Sequence, residues 1–133
     1  MDSALIILEA RKWLGTPFGH RGRVLGKSCD CVGLLFGVAR GLGLPHQAML
    51  NYAANPHPRE MYEELCRQMV PIPLRAADLG DVYHMAWGRY PQHVAIITDV
   101  GIIHSWKGVG RVVEHPLDDI WRGRIRGAYR FRE

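Results

Sequence analysis

The sequence predicts an α+β domain in which N-terminal helices pack on a C-terminal antiparallel sheet. Helical apolar stripes with their capping residues occupy the first half of the chain. After Gly80 the pattern changes to short β-rich segments separated by turn residues. Helices followed by strands are typical of a segregated α+β fold. A chain of 133 residues, 47% of them apolar, has room for one hydrophobic core, so we expect a single domain over residues 1–133.

Two helices are predicted in the first part of the chain. The first covers residues 3–14, where Asp2 or Ser3 can cap the amino end and a glycine follows the last turn. The second runs from about Cys31 to Gly41. Asp30 is a natural N-cap for this second helix, because its carboxylate can accept hydrogen bonds from backbone N–H groups two or three residues further on.

A third helix is predicted from Pro58 to about Met69, since proline is tolerated in a first helical turn. Pro71 and Pro73 then break the pattern. The five strand-like segments that follow Gly80 are rich in β-branched and aromatic residues. They are predicted at residues 81–85, 93–98, 102–106, 111–113 and 124–131.

The charge pattern gives no indication of nucleic-acid binding. The net charge is +4, and five arginines recur at even spacing near the end of the chain: Arg122, Arg124, Arg126, Arg130 and Arg132. In a strand that spacing puts the side chains on one face. Because no nucleic-acid motif is present, we interpret them as a solvated outer face and expect no nucleic-acid partner.

Membrane insertion and a disulfide framework are not expected either. No apolar run is long enough to cross a bilayer, and the apolar residues 4–8 lie between charged residues, which is typical of a helix face and not of a secretion signal. The chain has three cysteines, an odd number, and Cys29 and Cys31 are too close in sequence to bridge each other without strain.

Cys31 is the candidate nucleophile. It lies where a glycine-rich stretch ends and the second helix begins. A thiol in the first turn of a helix faces unpaired backbone N–H groups and the positive end of the helix dipole, and both favour thiolate over thiol. A single free cysteine is more often a small buried side chain, so the interpretation needs a base close by.

Two histidines on successive strands, His93 and His104, are the candidates for that base and its orienting partner. His93 begins an apolar strand after a loop, so we expect its ring at the accessible mouth of the sheet. A two-residue turn at Asp99 and Val100 would place His104 diagonal to His93 on the same face. A three-residue loop ending at Gly101 would instead send the two rings to opposite faces.

A zinc site built from Cys29, Cys31, His93 and His104 is a weaker alternative. The Cys-x-Cys spacing is not that of a zinc knuckle, and no second cysteine pair exists, so we expect no metal and no cofactor. Cys66 is interpreted as a helix-packing residue. The other histidines, apart from His20, are expected mainly at the surface: His46, His57, His84 and His115.

Beyond these patterns, the chain resembles the NlpC-type papain-like cell-wall cysteine peptidases. The resemblance rests on five segments in order: Trp13–Phe18, Asp30–Leu34, Gly80–Val82, His93–Ile96 and Ile103–His104. It covers essentially the whole chain. Within the family, the segment Ser28–Leu34, the loop around Tyr52 and the ending from Trp121 to Phe131 look most like the branch found in phage tails and gene transfer agents.

The resemblance implies a papain-like α+β fold and a thiol protease that hydrolyses an amide bond in peptidoglycan stem peptides, typically between γ-D-glutamate and a diamino acid. In that family pattern Cys31 attacks the carbonyl, His93 moves the proton and His104 orients His93. The backbone N–H of Cys31 and a side chain from the preceding loop meet the oxyanion. His20 stands close to the position of the usual family tyrosine, and His20 and Asp30 are the candidate oxyanion or substrate residues.

Without a secretion signal, we expect synthesis in the cytoplasm and delivery to the cell wall as part of a phage-tail-like particle, with tail proteins as partners. Two alternatives stay open. One is an acyltransferase or amidase that uses the same thiol on another substrate. The other is a noncatalytic or vestigial tail component that keeps the fold.

Overall fold

The computed structural model describes residues 1–46, 58–86 and 92–133. The loop around Tyr52 and most of the loop before His93 lie outside the described residues. The helices are α1 (Ser3–Arg11), α2 (Cys31–Gly41), α3 (Pro58–Gln68) and α4 (Asp119–Arg122), with one short 3-10 turn at Leu74–Ala76. The second predicted helix is confirmed at both ends, and the first ends three residues early, at Arg11.

Within the described residues, eight strands form two antiparallel sheets. A small hairpin joins β1 (Arg23–Val24) to β2 (Ser28–Cys29). The main sheet contains β3 (Met69–Ile72), β4 (Val82–Ala86), β5 (Gln92–Ile97), β6 (Ile102–Trp106), β7 (Arg111–His115) and β8 (Ile125–Phe131). Their order across the sheet is β3-β8-β4-β5-β6-β7. The predicted α+β class and all five predicted strands are confirmed, with ends shifted by at most two residues.

Strand β3 was not predicted from the sequence, because Pro71 and Pro73 were interpreted as breaking the pattern. It pairs with β8 from Met69, opposite Phe131, to Ile72, opposite Ala128. Because β3 is the edge strand of the main sheet, Pro71 can lie in it without removing a hydrogen bond that a central strand would need. The expectation that Pro71 only interrupts regular structure was therefore wrong.

The two faces of the main sheet bury different sets of side chains. On one face, Val94, Ile96 and Ile103 join a large apolar cluster with residues of α1 and α2. On the other face, a smaller cluster forms around Met85, Ala95, Ile102 and Trp121. Alternation along β5 and β6 therefore turns His93 and His104 toward the smaller cluster and away from the large cluster formed with α1 and α2.

Ion pairs connect elements that are far apart in the sequence. The Arg11 guanidinium at the end of α1 donates to Glu114 of β7 over 3.0 and 2.8 Å and also contacts Asp99 in the β5–β6 turn. A second ion pair lies at the start of β4. There Arg130 of β8 makes a bidentate pair with buried Asp81, with both distances 2.9 Å. One of the evenly spaced arginines is thus a structural partner and not only a solvated side chain.

The remaining arginines of that set divide by element. Arg126 and Arg132 are exposed in or just after β8, Arg122 is exposed in α4, and Arg124 lies over the Trp121 ring, 4.4 Å from its centre. Within the described parts of the chain, no helix is long and apolar enough to span a membrane.

Gly37 allows α2 to pack closely on Trp13, and this contact gives a stability prediction. A methyl group at position 37 would lie 2.1 Å from the buried Trp13 ring. Glycine to alanine within a helix normally stabilises by up to about 1 kcal/mol. Here we expect Gly37→Ala to lower the free energy of unfolding by about 1–3 kcal/mol, because the ring must move. Chemical denaturation measures this, with Arg40→Ala on the exposed side of α2 as control.

Arg40→Ala is expected to change the free energy of unfolding by less than about 0.5 kcal/mol. A Gly37→Ala variant as stable as the wild type would contradict the packing described for Trp13.

Candidate active site

Cys31 is the first residue of α2, and the loop before it is held in place by Asp30. The Asp30 carboxylate accepts from the backbone N–H of Gly33 over 2.7 Å and from that of Arg21 over 2.8 Å. The predicted N-cap is confirmed. These bonds fix the turn that aims Cys31 at the sheet, and the Cys31 side chain is half-buried.

Ser105 of β6 ties the same turn to the sheet from the other side. Its hydroxyl is fully buried and donates to the carbonyl oxygen of Cys29 over 2.6 Å. The backbone N–H of Cys29 in turn donates to the Pro17 carbonyl over 3.0 Å. The residue two positions before the candidate nucleophile is therefore anchored to the strand that carries His104.

The pairing between β5 and β6 stops before it reaches His93. Within residues 92–106, the paired residues are Ile97 with Ile102 and Ile96 with Ile103. Ile97 bonds toward β4 through Asp81 and Gly80, so the alternating pattern of an antiparallel strand turns the N–H of Val94 toward β6. There the Val94 N–H faces the Cys31 sulfur and lowers the pKa of its thiol. The helix tip thus occupies the gap between the strands, next to His93.

The two predicted histidines meet. His93 Nε2 and His104 Nδ1 are 2.5 Å apart, with ring centres separated by 4.8 Å. Alternation from the last pair, Ile96 with Ile103, puts His93 and His104 on the same face of the sheet. The N–H of Thr98 donates to the Gly101 carbonyl over 2.9 Å, so Asp99 and Val100 form the two-residue turn of the first register alternative.

Both rings are more deeply buried than the sequence suggested. His93 is 4% exposed and His104 is 0% exposed, so the expectation of an accessible His93 ring was wrong. The Trp121 ring stands perpendicular to His104 with centres 4.9 Å apart, and Trp106 stacks parallel to it at 6.1 Å. The short helix α4 carries Trp121. Asp118 caps this helix by accepting a hydrogen bond from the N–H of Trp121.

Burial decides the protonation of the free site. It raises the pKa of the Cys31 thiol to about 12, and the negative charge of Asp30 raises it further. The N–H groups of Val94, Val32 and Cys31 lower that pKa, as expected for a helix tip, but by less. Burial also lowers the pKa of His93 to about 3, and nearby Arg124 and His84 lower it further. Both shifts run against the expected resting thiolate: they favour a thiol at Cys31 and a neutral imidazole at His93.

The two candidate oxyanion or substrate residues differ in their surroundings. His20 is exposed, and its Nδ1 lies 4.0 Å from Asp30 Oδ2. Asp30 is buried, and its oxygens are engaged by backbone N–H groups. A carboxylate has no proton to donate to an oxyanion, so we assign Asp30 to shaping the loop. The role of His20 stays a prediction.

Sequence reasoning missed other residues of the site. His115, expected at the surface, is half-buried with its Nε2 2.9 Å from His104 Nε2, and His84 is buried beside Gln92. A signal for His115 was present, since His93, His104 and His115 follow each other at intervals of eleven residues. Equal hairpin lengths place successive residues diagonally on one face. Trp121 and Ser105 gave no comparable signal.

The three cysteines are free, and Cys66 packs against the main core as predicted. Among the residues that the structure describes, no group of three or more His, Cys, Asp or Glu side chains is arranged to hold a metal ion.

The raised pKa of Cys31 predicts how the thiol reacts. Only the thiolate is alkylated, so iodoacetamide labelling of Cys31, followed by mass spectrometry, should accelerate with each step from about pH 7 to pH 10 without a plateau. At pH 7 we expect a rate at least about tenfold below that of glutathione. Protein unfolded in urea controls for access and should label like glutathione. Rapid, pH-independent labelling below pH 7 that disappears in His93→Ala would contradict the neutral pair.

Comparison with known proteins gives a consistent fold. No family model matches the chain, and no curated protein sequence matches it. An NlpC/P60 family protein from Bacillus cereus aligns with a TM-score of 0.71 and 22% identity over 98% of this chain, which spans only 40% of that protein's chain. The NlpC/p60 domain of the peptidoglycan hydrolase SagA aligns with a TM-score of 0.62 and 20% identity, covering 97% of this chain and 98% of that one.

A third solved structure is RipD from Mycobacterium tuberculosis, described as a non-catalytic NlpC/p60 domain protein adapted to peptidoglycan binding. It aligns with a TM-score of 0.61 and 18% identity over 96% of this chain and 94% of that one. At these identities the likeness establishes architecture alone. The chain has the papain-like fold of the NlpC/P60 proteins.

Proposed function

We propose that this chain is a cysteine endopeptidase that hydrolyses amide bonds in peptidoglycan stem peptides, of the γ-D-glutamyl-diamino acid type. The observation that carries the proposal is that His93 and His104 contact each other while the Cys31 sulfur lies near the backbone N–H of Val94, the residue after His93. A thiol, an imidazole and a group that fixes the imidazole are the parts that nucleophilic amide hydrolysis needs. The likeness to a peptidoglycan hydrolase domain supports the choice of substrate.

The neutral resting pair supports a general-base mechanism. As the Cys31 sulfur attacks the carbonyl carbon, its proton passes to Nδ1 of His93, because Nε2 is engaged with His104. The imidazolium then gives that proton to the leaving amine when the C–N bond breaks. A water molecule, deprotonated by His93, attacks the resulting thioester, and release of the carboxylic acid returns the proton to the sulfur. His104 keeps the His93 ring oriented throughout.

The developing oxyanion meets the amino end of α2. The backbone N–H groups of Cys31 and Val32 point toward the sulfur, where a tetrahedral intermediate would form. His20, exposed at the edge of the same loop, is the proposed side-chain donor, and it can serve only with a proton on the nitrogen that faces the substrate.

The proposal also covers how the protein reaches the cell wall. We infer delivery to the wall as part of a phage-tail or gene-transfer-agent particle, supported by the resemblance of residues 28–34 and of the ending from Trp121 to Phe131 to that branch. Mass spectrometry of purified particles tests this placement.

A noncatalytic role is the second candidate, and one observation favours it. Burial of the Cys31 sulfur raises the pKa of its thiol and disfavours the thiolate, which is the nucleophilic form. The non-catalytic structural neighbour establishes that this fold occurs with a peptidoglycan-binding function alone. An acyltransferase or amidase that uses the same thiol would require another acceptor or substrate.

Digestion of purified peptidoglycan separates these candidates. We expect the wild type to release stem-peptide fragments cut after γ-D-glutamate, identified by mass spectrometry. Cys31→Ala should lower the release rate at least about a thousandfold, because the nucleophile is lost while wall binding remains. Cys66→Ala is the matched control, since Cys66 is a half-buried packing residue on α3, and it should cleave at the wild-type rate.

Sedimentation with the same peptidoglycan completes the test. Equal binding of wild type and Cys31→Ala without fragment release from either would support the noncatalytic role and overturn the peptidase. Release of a transfer product when a free amine is added, but no hydrolysis product, would indicate the acyltransferase.

A further inference from the structure

His115 lies next to the proposed catalytic pair but takes no part in the steps described above. It is the last residue of β7, opposite Ile102, while His104 is opposite Val113. His115 is thus diagonal to His104 on the same face of the sheet. Its Nε2 lies 2.9 Å from His104 Nε2, and its Nδ1 lies 2.8 Å from the carbonyl oxygen of Pro116.

The Pro116 carbonyl can only accept a hydrogen bond, so Nδ1 of His115 must be the donor. A neutral imidazole carries one N–H, which leaves the lone pair of His115 on Nε2. His104 then donates from its Nε2 and presents the lone pair of Nδ1 to His93. His93 must donate from Nε2, and its own lone pair therefore lies on Nδ1.

Burial keeps the His93 and His104 rings neutral, so that each carries a single proton. It lowers the pKa of His104 to about 2, with the neighbouring histidines adding to the effect, and that of His93 to about 3. Neither ring therefore carries two protons in the free protein, and each hydrogen bond between rings has one donor and one lone pair. Reversing any one of them reverses all of those that follow.

We propose that His115 is a positioning residue: its Nδ1 donates to the Pro116 carbonyl, its Nε2 accepts from His104, and His93 therefore keeps its proton on Nε2 and the lone pair of the proposed base on Nδ1. This inference rests on the proposed function for the role of the base, but the arrangement of ring protons stands by itself. His115 touches neither the sulfur nor the substrate. It acts through the tautomer of its neighbours.

Packing holds His115 and Pro116 where this role needs them. A methyl group at Gly101 would lie 2.3 Å from the His115 carbonyl oxygen and 2.7 Å from Pro116 Cα, so the backbone of the β5–β6 turn supports the segment directly. On the ring side, the Trp121 ring centre lies 5.1 Å from that of His115 and 4.9 Å from that of His104. Rotation of either imidazole would meet this indole.

A purely structural role for His115 makes a different prediction. If the ring only fills space and satisfies one nitrogen of His104, its replacement changes stability and leaves the tautomer of His93 unaltered. The direction of the hydrogen bonds, and not their presence, is therefore the property to measure.

Nitrogen-15 NMR of histidine-labelled protein reads the ring protons directly, at about pH 8 where an unperturbed imidazole is neutral. We expect the proton on Nε2 in His93 and His104 and on Nδ1 in His115. His115→Lys replaces the acceptor by a group that only donates, so the proton of His93 should move to Nδ1. In peptidoglycan digestion that variant should lose about a hundredfold or more in kcat with KM unchanged.

Two further variants control this comparison. His115→Gln can still accept at the position of Nε2, so it should keep the wild-type tautomers and restore kcat to within a few-fold of wild type. His46→Lys makes the same substitution at an exposed histidine beside Phe36, and it should alter neither the His93 tautomer nor kcat.

A wild-type His93 with its proton on Nδ1 would overturn the inference, and that measurement needs no folded variant. An unchanged His93 tautomer in folded His115→Lys would also overturn it. The expected tautomers in a wild type that releases no peptide would leave the inference on His115 standing and overturn the proposed function.

Discussion

The early end of the β5–β6 ladder is the constraint on which the site depends. Were the pairing to continue past Ile96 and Ile103, the N–H of Val94 would bond to β6 and close the gap. Instead that N–H faces the Cys31 sulfur at the tip of α2, which lies where the pairing with β6 ends. The open ladder would leave backbone groups unsatisfied, so the helix tip and the Ser105 bond to Cys29 stabilise the separation of the strands. Because the pairing ends there, the tip of α2 reaches the part of the sheet that carries His93 and His104.

The same closeness sets the electrostatics of the site. A helix N-terminus favours a thiolate, and the N–H groups that produce this effect are present at Cys31. Desolvation acts against it and is larger, because the sulfur is pressed between the helix and the sheet, and Asp30 adds a negative charge nearby. Asp30 is also the N-cap that positions Cys31 at the start of α2. Part of the rise in the Cys31 pKa is therefore a consequence of holding Cys31 in this position.

The sequence predicted the parts of this molecule that local chemistry determines. Asp30 before an apolar stripe predicted where α2 begins, and alternating apolar residues predicted β5 and β6. The meeting of His93 and His104 depended on one loop length, and two turns were compatible with the sequence. Pro71 concealed β3 because its edge position follows from the strand order, which no local pattern contains. Burial of His93 and His104 by Trp121 depends on α4, seventeen residues beyond His104, and could not be read from either strand.

A neutral histidine as the third group has a physical rationale in this site. The position of His104 is fully buried, where a carboxylate would have to be desolvated and would need further donors to be stable. A neutral imidazole avoids that cost but gives a weaker field to the imidazolium that would form on His93 in the proposed mechanism. Hydrogen bonds in series polarise one another, so a chain of rings that ends on a backbone carbonyl strengthens the acceptor presented to His93 without burying a charge. The three histidines and Pro116 can therefore stabilise the protonated base of a closed site, where a single neutral side chain would do so less well.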